Sequence, residues 1–168
     1  MDDEPSTSSS PLRSTPARVE PRKPRTQRIL GYRLLLGLAL AVFVADQLTK
    51  LWIAQRLPLG TYGEAAGAIR IIKGFFYLVH VGNTGAAWSM FSGQSVMLAI
   101  LAFGTLLAIF FWRDALGLRD RLAQVCFGLL CGGILGNLVD RLLHGHVIDF
   151  VDLHFGSYIY PTFNVADS

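Results

Sequence analysis

Gly132–Ser168, GGILGNLVDRLLHGHVIDFVDLHFGSYIYPTFNVADS, decides how the rest of the chain is read. It opens in an apolar helix that runs into an Asp140-Arg141 pair. It continues through an alternating segment carrying Asp149 and Asp152, and closes on Asn164, Asp167 and Ser168. Carboxylates this dense beside membrane-length apolar segments are costly to hold, and mark a functional site by default. From His146 to Phe155 the alternation is that of a strand. One face reads Val147, Asp149, Val151, Leu153, Phe155, and the other reads His146, Ile148, Phe150, Asp152, His154. Asp149 is the only charge on its apolar face, where desolvation raises a carboxyl pKa as a general acid or base requires. Asp152 shares its face with two histidines and reads as a solvated residue. A further carboxylate, Asp167, follows the Pro161 loop. Two carboxylates that meet can share one proton, one activating a water while the other donates to a carbonyl oxygen. Spacing alone does not show that residues 149 and 167 meet.

The 168 residues are 52% hydrophobic and 16% charged, which predicts one membrane-type domain with a polar tail. The net charge of +3 does not require nucleic acid as a partner. Arg13, Arg18, Arg22, Lys23, Arg25 and Arg28 precede the first apolar run, where membrane orientation accounts for them. Residues 1–28, rich in Pro, Ser, Thr and Arg, read as a disordered basic cytoplasmic tail, and 29–168 as a membrane-embedded domain. The tail is too long and polar for a signal-peptide start, and no small-residue cleavage site follows the apolar run, so that run is expected to stay attached. Spans are expected at about 30–53, 96–112 and 122–139, with Arg113, Arg119 and Arg121 in a cytoplasmic loop.

Asp46 and Lys50 lie one helical turn apart and can neutralise each other, either as an interfacial ion pair or with Asp46 as a supporting or substrate-facing group. Residues 69–72 and 75–81 are β-branched and aromatic runs split by Lys73-Gly74, which predicts a hairpin. The small-residue stretch from Gly82 to Trp88 reads as a turn with one polar amide, Asn83. Gly128, Gly132 and Gly136 recur every four residues, a seam for close helix packing. Asp140 leaves that seam near the outer interface, where Arg141 and Asn137 predict an ion-pair and hydrogen-bond cluster. Cys126 and Cys131 suit neither a disulfide framework nor a zinc knuckle and read as apolar fillers. On residues alone two rivals stay open. One is a zinc site from His144, His146 and His154 with Asp149 or Asp152, although no helical His-Glu-x-x-His spacing and no nearby thiolate support it. The other is a non-enzymatic membrane scaffold.

The chain closely resembles the lipoprotein signal peptidases, the bacterial type II signal peptidases. Five ordered blocks carry the match: Asp46-Gln47-Leu48-Thr49-Lys50; Asn83-Thr84-Gly85-Ala86-Ala87-Trp88-Ser89; Gly132 to Arg141; Gly145 to Phe150; and Phe163-Asn164-Val165-Ala166-Asp167-Ser168. By this resemblance the catalytic aspartates are Asp149 and Asp167. The supporting or substrate-binding residues are Asp46, Lys50, Asn83, Asn137, Asp140, Arg141 and Asn164. The resemblance implies a monomeric aspartic endopeptidase, without metal or other cofactor, in the bacterial plasma membrane. It would cut diacylglyceryl-modified prolipoproteins just before the lipidated cysteine, at the extracytoplasmic face and in contact with membrane lipid. It also implies an all-α membrane bundle with a small extracytoplasmic β element. The family has four transmembrane helices, with both termini cytoplasmic. This sequence ends at Ser168, before the position of the fourth. Three spans are therefore expected, with Asp167 on a fraying end and activity poor or absent, because a catalytic pair needs both carboxyls held tightly.

Overall fold

A computed structural model of the chain describes residues 31–168, so the tail expected over 1–28 lies outside the described residues. Three helices form the body: α1, Arg33–Arg56; α2, Ser95–Phe111; and α3, Arg121–His144. With 24 residues each, α1 and α3 are long and apolar enough to cross a membrane; at 1.5 Å per residue each reaches roughly 36 Å. α2 has 17 residues and reaches roughly 25 Å, short of the roughly 30 Å hydrocarbon layer. Leu36, Leu40, Leu48 and Leu51 of α1 and Val96, Ile100 and Phe103 of α2 are exposed, an apolar exterior suited to lipid.

The ends of α3 follow from its sequence. Asp120 caps the start, its carboxylate accepting from the backbone N–H groups of Leu122 and Ala123, as a short acidic side chain does best. Gly145 stops the helix in the left-handed region at φ 75°, open to glycine without a Cβ penalty. The helix runs past the span expected to about Val139 into the Asp140-Arg141 pair, which lies in its last turns, and ends at His144. Polar residues there face protein rather than lipid, so hydropathy falls before the helix does.

The glycine seam sets the packing of α1 on α3. A Cβ at Gly128 would lie 2.9 Å from the Leu35 carbonyl oxygen, and one at Gly132 would lie 2.7 Å from that of Ala39. At the far end of the seam, the space a Gly136 side chain would need holds the Asp46 carboxylate. Gln124, buried near the start of α3, accepts from Leu35 N–H and donates to Gly31 O, satisfying an N–H that the first turn of α1 leaves without a helical partner.

The expected hairpin is part of a larger antiparallel sheet in the order β1–β2–β3–β4: β1, Ile69–Ile72; β2, Phe76–Asn83; β3, Val147–Phe155; and β4, Tyr158–Ile159. β2 runs to Asn83, so that residue ends a strand instead of sitting in a free turn. Val81 pairs with Asp149 and Tyr77 with Asp152 across β2 and β3. The segment after β4 returns to β3, where Phe163 O accepts from both Phe150 N–H and Val151 N–H at 3.1 and 2.8 Å. Asp152 is buried, at 1% exposure, with its carboxylate 2.7 Å from His154 Nε2, which corrects the expectation that it is solvated. The second face of β3 is covered as well as the first, a fact that strand alternation does not carry.

Gly132→Leu should wedge α1 from α3, with a cost of about 1–3 kcal/mol for overpacking. Gly104→Ala, on an open face of α2, should cause no loss. Thermal unfolding of the two variants in detergent checks the seam.

Candidate active site

Lys50 is the electrostatic centre of the end of the bundle that carries the sheet. Its side chain is 2% exposed and its ammonium meets three acceptors: Asp46 Oδ2 at 2.7 Å, Asp140 Oδ2 at 2.8 Å and Asn137 Oδ1 at 2.9 Å. An ammonium has three donors and no acceptor, so these partners saturate it. Asp140 therefore pairs with Lys50 of the other helix, not with its neighbour Arg141 as adjacency suggested. A helix turns successive side chains about 100° apart, and Arg141 points elsewhere, donating to Gly85 O at 2.9 Å and Asn137 O at 3.3 Å.

The two carboxylates of this cluster also reach the backbone around the remaining aspartates. Asp46 Oδ1 accepts from Ala166 N–H at 3.0 Å, and Asp140 Oδ2 also accepts from Ile148 N–H at 3.1 Å. Gly133 lets the turn Val165–Asp167 sit directly on α3, because a Cβ there would collide with the Ala166 carbonyl oxygen. Asn164 and Asp167 close that turn with a capping box. The end expected to fray is thus tied to α1, to α3 and to itself.

Asp149 and Asp167 face one cavity of about 570 Å³ whose wall includes Arg141, Ala86, Trp88 and Tyr160. Asp149 is 2% exposed. Its Oδ1 accepts from Asn164 Nδ2 at 2.7 Å and its Oδ2 from Asn83 Nδ2 at 3.1 Å. Burial pushes its pKa up to about 6; the Asn83 bond opposes this, the Asp167 charge adds to it, and Asn164 and Lys50 pull it down. Asp167 is exposed; its Oδ1 accepts from Asn137 Nδ2 at 2.8 Å. Asn164 Nδ2 also lies 3.2 Å from Asn137 Oδ1, so a chain of amides links the two carboxylates. One is buried with a raised pKa and the other meets solvent, the division of environment that separates an acid from a base.

All the expected site residues fall in one connected network. Asn83 joins it through Asp149 and accepts from Gly85 N–H at 2.9 Å, next to the carbonyl that Arg141 holds. Gln47 was not singled out, yet its Nε2 donates to Asp140 Oδ1 at 3.0 Å and Gly136 O at 3.3 Å. Its position inside the Asp46–Lys50 block was the only signal. The zinc constellation is not assembled. His154 turns to Asp152, while the His144 and His146 rings lie 6.0 Å apart at a tilt of 40°. Among the described residues no group of three or more His, Cys, Asp or Glu is placed to hold a metal ion.

Comparison with known proteins agrees with this arrangement over most of the chain. The family model described as signal peptidase (SPase) II matches residues 38–168. A lipoprotein signal peptidase from Nostoc punctiforme is 39% identical over 142 residues, covering 83% of this chain and 83% of its own length. One from Bacillus pumilus is 35% identical over 131 residues, covering 78% and 81%. A bacterial membrane enzyme solved by the in meso method at 2.3 Å resolution superposes with a TM-score of 0.69 at 32% identity, covering 79% of this chain and 77% of that one. With sequence matches of this extent and a shared fold, the chain belongs to the signal peptidase II family.

Proposed function

We propose that this protein is an aspartic endopeptidase that removes signal peptides from diacylglyceryl-modified prolipoproteins, cutting just before the lipidated cysteine, with Asp149 and Asp167 as its catalytic pair. The names of the relatives support the substrate class. The observation that carries the mechanism is the pair itself: two carboxylates of unlike environment on one cavity, tied together by the amides of Asn137 and Asn164.

In the productive state the pair holds one proton, on Asp149. Asp167, open to solvent, takes a proton from a water as the water oxygen bonds to the scissile carbonyl carbon. Asp149 gives its proton to the carbonyl oxygen, and the result is a tetrahedral diol. Collapse then restores the carbonyl, the carbon–nitrogen bond breaks, and the leaving amine takes the proton now held by Asp167. The diol's hydroxyl proton returns to Asp149. Arg141 and Asn83 brace the loop above the pair through Gly85. The reaction belongs at the outer rim of a bacterial plasma membrane, where a lipid-anchored substrate presents its peptide bond, and the apolar exteriors of α1 and α2 support this reading.

Asp149→Asn and Asp167→Asn should each slow cleavage of a diacylglyceryl-modified prolipoprotein in detergent by about 100-fold or more, with little change in thermal unfolding. Wild-type rates in both would reject the pair. Incubation with a chelator should leave the rate unchanged. Because Asp149 acts protonated, kcat/KM should fall as pH rises through about 6. The Asn83 hydrogen bond stabilises the ionised form, so Asn83→Ala should move that limb to higher pH. A downward move would contradict the assignment of the proton to Asp149.

A further inference from the structure

The two acidic partners of Lys50 do more than neutralise it. Asp46 holds the N–H of Ala166, the residue before Asp167, and Asp140 holds the N–H of Ile148, the residue before Asp149. The third acceptor is Asn137. Since an ammonium only donates, Lys50 makes the Asn137 amide present its oxygen inward, which leaves Nδ2 for Asp167 at 2.8 Å. That oxygen also receives Asn164 Nδ2, which bonds Asp149. Each of the three Lys50 bonds therefore leads, in one further step, to a member of the proposed pair or to the residue just before it.

We propose that Lys50 is a positioning residue that sets the gap between Asp149 and Asp167 from behind the cavity. The proposal rests on the aspartic mechanism above. Lys50 does not touch substrate; it draws Asp46 and Asp140 to a common centre, and through two backbone N–H groups it fixes where β3 and the Val165–Asp167 turn stand relative to each other. A clamp of this kind acts on the chemical step and on the sharing of the proton, while leaving the cavity wall that binds peptide unchanged.

Removing Lys50 alone would leave two buried carboxylates unpaired, which can unfold a protein regardless of mechanism. The test therefore uses Lys50→Met combined with Asp46→Asn and Asp140→Asn. This variant buries no unpaired charge, and its asparagine oxygens can still accept from Ala166 and Ile148. Thermal unfolding, kcat, KM and the pH profile of kcat/KM would be measured on the full chain in detergent. The expected result is a folded protein with KM unchanged and kcat lowered about 100-fold, the scale of a displacement near 1 Å. The two limbs of the pH profile should also move closer together, because carboxylates further apart interact less. Wild-type kcat with unmoved limbs, or a loss confined to KM, would overturn the proposal. Should the combined variant fail to fold, Lys50→Arg keeps the charge but spreads the donors in a closed site, and the same two readouts decide. Asp149→Asn and Asp167→Asn run beside them; cleavage by both would overturn the assignment of the catalytic pair, whereas their inactivity with an unaffected Lys50 series would overturn this inference alone.

Discussion

A single buried ammonium is the constraint on which the sheet-bearing half of this protein depends. Lys50 stands at 2% exposure among Asp46, Asp140 and Asn137, where a charge without partners would be strongly unfavourable. Breaking a buried pair by removing one member typically costs about 3–5 kcal/mol. The ion cluster is therefore stable only when α1 and α3 are at close range. The glycine seam provides that range, since Gly128 and Gly132 bring the backbone of α3 against Leu35 and Ala39, and Gly136 leaves room for the Asp46 carboxylate. Seam and cluster thus support each other: the apolar half of the interface sets the distance and the polar half sets the register.

From this anchor the structure passes order outward to the sheet and the final turn. Asp140 fixes the start of β3 and Asp46 fixes the turn at Val165–Asp167. Gly133 adds a steric requirement to the second of these contacts. The site is thereby assembled from α1, α3, the end of β2, β3 and the last turn, elements whose sequence positions are far apart. Buried polar networks of this density favour a unique arrangement only when their members are satisfied; the amide nitrogens of Asn137 and Asn164 supply the donors that the two carboxylates need, while Asn164 Oδ1 is buried without a partner.

The asymmetry of those carboxylates is what gives the proposed chemistry its direction. Asp149 lies on β3, enclosed by Asn83 and Asn164, and burial raises its pKa to about 6. Asp167 lies on an exposed turn at the cavity rim. In the proposed reaction the enclosed group keeps a proton for the carbonyl oxygen and the exposed one meets the water. Trp88, exposed at the cavity mouth, adopts a left-handed φ of 53°; its ring lies 6.5 Å from that of Tyr160, so aromatic groups from the β2–α2 loop and from the segment after β4 flank the same opening.

Local sequence determined the periodic features. Hydropathy placed the long helices, alternation over His146–Phe155 placed β3 and preferred Asp149, and the every-fourth glycine seam placed a close helix contact. Each of these depends on neighbours in the chain, whose spacing a helix or strand converts directly into a face. The burial of Asp152, the partner of Asp140 and the role of Gln47 were not legible in this way. Asp140 was read beside Arg141 because they are adjacent, yet its charge partner comes from another helix. Whether 149 meets 167 likewise depended on the packing of α3, β3 and the final turn around Lys50. Periodicity can say which side chains share a face; only the tertiary structure, by closing long-range contacts around one buried charge, decided which of those faces meet.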